Sequence, residues 1–144
     1  MTFGFEPARQ VDGQSPAGHD PAFFQRTRAL TGCDGATFVL RDNGKCYYAD
    51  EDAIAPLWKG HRFPMDVCVS GWAMRNSAAA VIPDIYQDPR VPVEAYRPTF
   101  VKSMVMVPIR KINPIGAIGN YWASHHKTTE EELGMLQALA DVTS

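Results

Sequence analysis

The pair Asn43-Gly44 constrains this chain more than any other two residues. It lies between "GATFVLRD" and "KCYYAD", two runs rich in β-branched and aromatic side chains. Both turn residues tolerate the positive φ that a type I′ turn demands. The spacing predicts an antiparallel hairpin, so a sheet is part of the fold.

The remaining elements follow from local chemistry on either side of that hairpin. Residues 1–20, "MTFGFEPARQVDGQSPAGHD", mix Gly, Pro, Ser, Gln and charge without apolar periodicity and read as a flexible leader. A folded unit is expected over 21–144. "PAFFQRTRALTGC" places Pro at a first helical position, Phe23, Phe24, Thr27 and Leu30 at helical spacing, and Gly32 as a stop. Beyond the hairpin, Leu57 to Lys59 read as a short helix or loop and His61 to Pro64 as a short strand. In "DVCVSGWAMRN", Asp66 is a candidate helix cap, with Ser70 able to cap one turn later. From Val69 onward, Trp72, Ala73 and Asn76 are expected on one helical face.

"AAAVIPDI" reads as a strand broken by Pro83. "DPRVPVEAYRPTF" is too proline-rich for more than one helical turn, near Glu94 to Arg97, and a loop of that kind suits a pocket cover. "SMVMVPIRK" and "PIGAIGNYWAS" are two strands joined through "INP". In "TTEEELGMLQALADVTS" a capping box opens an amphipathic helix with one stripe at Leu133, Leu136 and Ala140 and a second at Met135, Leu139 and Val142. No stop signal precedes Ser144, so this helix is expected to continue in a longer protein. The order implies an α+β sandwich: an antiparallel sheet with helices on one face and a loop-covered cleft on the other.

Composition narrows the function classes. At 144 residues, 45% hydrophobic and 21% charged, the chain suits one domain. A net charge of -2 offers no basic stripe, so a nucleic-acid partner is not expected. The three cysteines, Cys33, Cys46 and Cys68, show no C-x-x-C spacing and read as reduced cytosolic thiols. Membrane insertion and export are not expected, because no apolar run approaches a span or a signal core.

The run "GATFVLRD", "SGWAMRNSAAAVIPDIYQDPR", "FVKSMVMVPIR", "PIGAIGNYWASHH" and "TTEEELGMLQALAD" resembles a GAF domain of the kind found at the N-terminus of bacterial sensor histidine kinases. Gly71 with Ala73, Asp84 at a strand end, Val107 to Ile109, and the glycines of "IGAIGNYW" carry the likeness. The resemblance implies a six-stranded antiparallel sheet, a pocket roofed by loops and short helices, and terminal helices that pair in a homodimer. It also implies that "IGAIGNYW" packs closely at its glycines.

Within that frame the chemistry can be weighed. The Asn-Lys…Phe…Asp-Glu set of cyclic-nucleotide-binding members is missing, so that ligand is not expected. Bilin-binding members attach their chromophore through a cysteine in the loop before "VPI"; here that loop has Val91 and Pro92 and no thiol, so a covalent bilin is not expected. Free methionine-R-sulfoxide reductase, another relative, has a cysteine where Ser70 precedes Gly71. Cys68 lies two residues earlier, and Cys33 and Cys46 are distant in sequence with nothing local to pair them with it. A helix start would lower the Cys68 thiol pKa, yet the favoured reading makes Cys68 a small apolar residue in a pocket wall.

The pocket candidates are Trp58, Phe63, Cys68, Trp72, Tyr86, Tyr96, Phe100, Met104 and Met106. His61 is weighed as a haem ligand on one side of the cleft; His125 and His126 are weighed as metal ligands, but neighbours at a strand end point to opposite faces and rarely share one ion, so both read as solvent-facing polar residues. Arg90, Arg97 and Lys102 flank the loop as rim cations that an anionic ligand would meet. The expected function is therefore a cytoplasmic, ligand-binding, non-catalytic sensor of an unidentified small molecule, the input of a two-component histidine kinase. A structural dimerisation spacer and a thiol-dependent sulfoxide reductase are the alternatives.

Overall fold

The computed structural model describes residues 21–143; the expected leader and Ser144 lie outside them. The elements run α1 (Pro21–Thr31), β1 (Gly35–Asp42), β2 (Lys45–Ala53), β3 (Arg62–Pro64), α2 (Val69–Asn76), β4 (Ala80–Ile82), a 3₁₀ turn (Ile85–Gln87), α3 (Val93–Tyr96), β5 (Ser103–Ile109), β6 (Gly116–Trp122) and α4 (Glu130–Thr143). Six strands form one antiparallel sheet in the order β3-β2-β1-β6-β5-β4.

The hairpin forms as the turn chemistry requires, with Asn43 at φ 51° and Gly44 at φ 73° between the paired residues Asp42 and Lys45. Its register shifts between Phe38 and Val39, which face Asp50 and Tyr48, leaving Ala49 as a bulge. The bulge rephases the strand. Cys46 and Tyr48 point to one face of the sheet, Tyr47 and Ala49 to the other, and Glu51 rather than Asp50 returns to the first face opposite Thr37. At the end of the hairpin, Arg62 of β3 reaches the buried Asp42 carboxylate at 2.9 Å and lies over the Tyr47 ring.

Strands β5 and β6 are buried along their whole length, so both faces of the sheet must be covered. On one face α1 and α4 pack Phe23, Phe24, Leu136 and Ala140 onto Phe38, Leu40, Val105, Val107 and Ile118. On the other, α2, α3 and their loops pack Val69, Ala73, Val91 and Tyr96 onto Val39, Met104, Met106 and Tyr121. The second apolar stripe of α4 is less covered, and Val142 is 79% exposed.

The start of α4 is tied to the sheet. Thr129 and Glu132 form the reciprocal capping box, N–H to Oε1 at 2.9 Å and N–H to Oγ1 at 3.0 Å. The same Glu132 oxygen meets His126 Nε2 at 2.9 Å, His126 stacks on Trp122 with centroids 4.2 Å apart, and its N–H donates to Ser103 Oγ. His126 is thus half-buried, contrary to the solvent-facing expectation, while His125 is exposed near Asp84.

Helix α2 begins later than the sequence suggests. Val67 N–H bonds to Pro64 C=O in a turn, so the cap falls on Cys68, which makes no side-chain cap bond, and Asp66 is exposed. Ala73 lies on the buried face with Val69, Ser70, Gly71 and Met74, whereas Trp72 is half-buried against the margin of that core and Asn76 is exposed, so the three do not share one face. Leu57 to Lys59 form a loop.

Two glycines permit close approach. A Cβ on Gly119 would meet Thr37 Oγ1 at 2.7 Å, which accounts for its place in a tightly packed strand. A Cβ on Gly71 would collide with the Met65 backbone carbonyl, which cannot swing aside as a flexible side chain can. Gly71→Ala is therefore expected to destabilise the fold by about 1–3 kcal/mol, read as a lower midpoint in denaturant unfolding.

Candidate functional site

The site is built from β2 outward. Because the bulge turns Glu51 to the cleft face, its carboxylate accepts the backbone N–H groups of Leu57, Trp58 and Lys59 at 2.8, 2.9 and 2.9 Å. Three charge-assisted bonds hold an otherwise irregular loop. They deliver the Trp58 ring against Tyr48, Tyr96 and Tyr121, with centroids 5.6, 4.7 and 5.5 Å away. Trp58 Nε1–H then donates to the Ala95 carbonyl at 3.1 Å, pinning α3 over the cleft.

Under α3 lies a chamber of about 260 Å³ lined by Tyr48, Trp58, Phe63, Val67, Cys68, Pro92, Glu94, Ala95 and Tyr96. Its polar groups are already engaged: Tyr48 OH with Ser70 Oγ at 3.1 Å, Tyr96 OH with Met104 Sδ at 3.4 Å, and Glu94 with Arg97 at 2.9 Å. A second, more polar chamber of about 350 Å³ is lined by Asp66, Val67, Cys68, Trp72, Arg75, Pro89, Arg90, Val91 and Pro92. Val67, Cys68 and Pro92 are common to both.

Of the sequence-predicted residues, Trp58, Phe63, Cys68 and Tyr96 line the inner chamber and Trp72 the outer one. Met104 and Met106 belong to the packed core beneath, and Phe100 packs against that core. Tyr86 is 46% exposed and lines neither chamber, because Asp84 caps a 3₁₀ turn that carries it outward. Arg90 does not stand free on the rim: it forks onto Asp88 at 2.9 and 2.7 Å and lies over the Trp72 ring. Arg97 pairs with Glu94, and Lys102 is exposed. His61 packs edge-on against Phe63 outside the chamber lining. Sequence reasoning missed Tyr48, Val67, Pro92, Glu94 and Ala95 of the inner chamber, although the alternation of "CYYAD" gives Tyr48 and Cys46 a shared face.

The thiols require a correction. Cys46, 22 positions from Cys68 in sequence, lies with its Sγ 2.8 Å from the Cys68 Sγ, and both are free thiols. The hairpin places Cys46 directly below the start of α2, a proximity that linear spacing hides. Ser70 Oγ–H donates to Cys68 Sγ at 3.3 Å. The Cys46 thiol as hydrogen-bond donor, then the Ser70 hydroxyl, bring the Cys68 pKa down to about 7 despite burial. Cys46, whose sulfur would then face a thiolate in a buried setting, is pushed up. Cys33 lies on the other face of the sheet, beside Asn120 Oδ1 at 3.2 Å, and burial raises its thiol pKa.

Among the described residues no cluster of three or more His, Cys, Asp or Glu side chains could hold a metal ion, and no helix is long and apolar enough to cross a membrane.

The sequence profile of the GAF domain matches residues 22–144. No curated protein is similar enough in sequence to match. Among solved structures, the type II free methionine-R-sulfoxide reductase of Thermoplasma acidophilum is 18% identical, with a TM-score of 0.71 over 85% of this chain and 84% of that one. The GAF-B domain of DevS from Mycobacterium smegmatis is 19% identical, with a TM-score of 0.67 over 86% and 90%. A domain of a putative two-component sensor histidine kinase protein from Sinorhizobium meliloti is 14% identical, with a TM-score of 0.64 over 85% and 83%. At these identities the likeness is one of fold.

Two outcomes follow from this geometry. Glu51→Gln replaces one acceptor oxygen with a donor facing backbone N–H groups. It is expected to cost about 1.5–3 kcal/mol and to red-shift the tryptophan emission, a shift absent in a Trp58→Phe background. Because only the thiolate reacts, Cys68 alkylation is expected to rise with pH through about 7, below the usual thiol midpoint of roughly 8.5. Rates of alkylation against pH, with Cys68 followed by peptide mapping, check this.

Proposed function

This chain belongs to the GAF domain family, and from that premise we propose that it is a sensory input module without catalysis of its own. It takes an uncharged small molecule in the inner chamber and passes the occupancy through α4 to a signalling partner of the sensor histidine kinase kind. The observation that carries this reading is a chamber whose polar groups are all internally engaged, so that recognition falls to shape and apolar contact. An apolar cavity of about 150 Å³ accommodates benzene. The volume here, about 260 Å³, suits one ring or two fused rings. The fold likeness to a DevS domain and to a domain of a putative sensor histidine kinase supports the signalling context.

The mechanism is a population shift. A ligand that prefers one arrangement of α3 over the Trp58 ring biases that arrangement by no more than its difference in affinity for the two. The less covered stripe of α4, with Met135 half-buried and Val142 exposed, is the surface offered for homodimerisation in a cytoplasmic two-component protein.

A second reading is favoured by the Cys46–Cys68 contact alone, because a sulfoxide reductase needs a thiolate with a resolving thiol in reach. Steady turnover of free methionine sulfoxide with a dithiol reductant, abolished by Cys68→Ser, establishes that activity; no turnover removes it.

The sensor reading is tested by native mass spectrometry of protein purified from its own host, together with toluene titration followed by ligand-observed NMR. Wild-type protein is expected to retain a molecule or to bind toluene saturably, and Ala95→Trp, which fills the chamber, to abolish both while remaining folded. A wild type that retains nothing and does not bind toluene returns the domain to a structural dimerisation spacer.

A further inference from the structure

We propose that Cys46 and Cys68 form a reversible redox switch: a hydroperoxide that reaches Cys68 through the chambers converts the pair to a disulfide joining β2 to the start of α2. The thiols are not vicinal in sequence and belong to different elements, yet their sulfurs are 2.8 Å apart. Closing that gap by about 0.8 Å gives a disulfide bond length. Their surroundings differ in the way an attacking and a resolving thiol must differ. Cys68 forms part of the wall of both chambers and is 5% exposed, whereas Cys46 is 0% exposed and lies behind it. An oxidant arriving from solvent therefore meets Cys68 first.

The local hydrogen bonds favour the same assignment. Ser70 Oγ–H donates to the Cys68 sulfur, so the thiolate that performs the attack is stabilised where it is accessible. Met65 Sδ, 3.5 Å from the Cys46 sulfur, completes a largely apolar surround for the resolving thiol. Cys33, on the opposite face of the sheet, has no part in the pair and serves as an internal control.

The chemistry balances. The Cys68 thiolate attacks one peroxide oxygen and breaks the O–O bond; the other oxygen leaves and is protonated to an alcohol, or to water when the oxidant is hydrogen peroxide. Cys68 is then a sulfenic acid. The Cys46 sulfur attacks it, the S–S bond forms, and the expelled hydroxide takes the Cys46 proton and departs as water. Two thiols and one hydroperoxide give one disulfide, one alcohol and one water, with two electrons passing from the sulfurs to the peroxide. A cellular or added dithiol reverses the reaction by exchange. The switch uses the chambers as a route for the oxidant and needs no occupant in them, so it stands independently of the ligand reading.

The full chain is treated with one equivalent of hydrogen peroxide, quenched with an alkylating agent in denaturant, and digested with trypsin. The peptide of residues 46–59 is expected to appear crosslinked to that of residues 63–75, while Cys33, in residues 29–41, remains alkylated. Dithiothreitol should restore both free thiols, and the oxidised protein should melt several degrees higher because the bridge restricts the unfolded chain. Crosslinking is expected to be about tenfold or more faster in the folded than in the urea-unfolded protein. In Cys46→Ser the same treatment should leave a Cys68 sulfenic acid that dimedone traps.

The wild-type map decides the matter even if that variant does not fold. The proposal is overturned if both thiols remain alkylatable under excess peroxide. It is equally overturned if Cys68 proceeds to sulfinic acid without the crosslink, or if urea does not slow the crosslink. Oxidation of the pair by free methionine sulfoxide but not by peroxide overturns it as well, and assigns the thiols to the reductase reading.

Discussion

The carboxylate of Glu51 is the point on which the cleft side of this domain depends. Three backbone N–H groups converge on it, and a loop with no repeating hydrogen-bond ladder thereby holds one conformation. The loop carries Trp58, whose ring closes one wall of the inner chamber and whose indole N–H fixes α3 above it. The chain of dependence runs from a bulge at Ala49, to the face on which Glu51 emerges, to the position of the Trp58 indole in the loop between β2 and β3. Shape on this side of the sheet is thus set by an ion-to-backbone contact rather than by regular structure.

The contrast between the two sides accounts for the two chambers on the cleft face. The back face is covered by α1 and α4, 11 and 14 residues long, which lay continuous apolar surface onto the sheet. The cleft face is covered piecemeal by the eight residues of α2, the four of α3 and proline-bounded connections. Side chains on two rigid, extended surfaces can interdigitate along their length. Short pieces meeting at corners leave space where their ends fail to overlap, and Pro92, Val67 and Cys68 stand at such a corner, between both chambers.

What could be read from the sequence was whatever is decided within a few residues. The Asn43-Gly44 turn, the Thr129–Glu132 box and the single turn of α3 among prolines are local chemistry and form as their residues dictate. Four of the nine pocket candidates line the inner chamber, because aromatic residues near a covered cleft are good guesses for its wall. The errors share a cause in longer-range geometry. Tyr86 is turned outward by a cap at Asp84, and Asp66 is bypassed as a helix cap because the turn at Pro64 to Val67 moves the start of α2 to Cys68. The Cys46–Cys68 contact joins positions 22 residues apart, and no spacing rule for thiols connects a strand residue to a helix cap on the layer above it.

The tethering of α4 has a mechanical consequence. Its first turn is fixed through Glu132, His126, Trp122 and Ser103 to the start of β5 and the end of β6, and its last turn buries Ala140 and Thr143 while exposing Val142. A helix pinned at its start and seated along one side, with Leu136, Ala140 and Thr143 buried, can tilt with the sheet face beneath it but cannot slide along it. Fourteen residues span about 21 Å, so a tilt of about 5° at the anchored end carries the far end sideways by roughly 2 Å. A tilt of the sheet face that seats the helix would thus be enlarged along its length, with the helix itself as the lever arm.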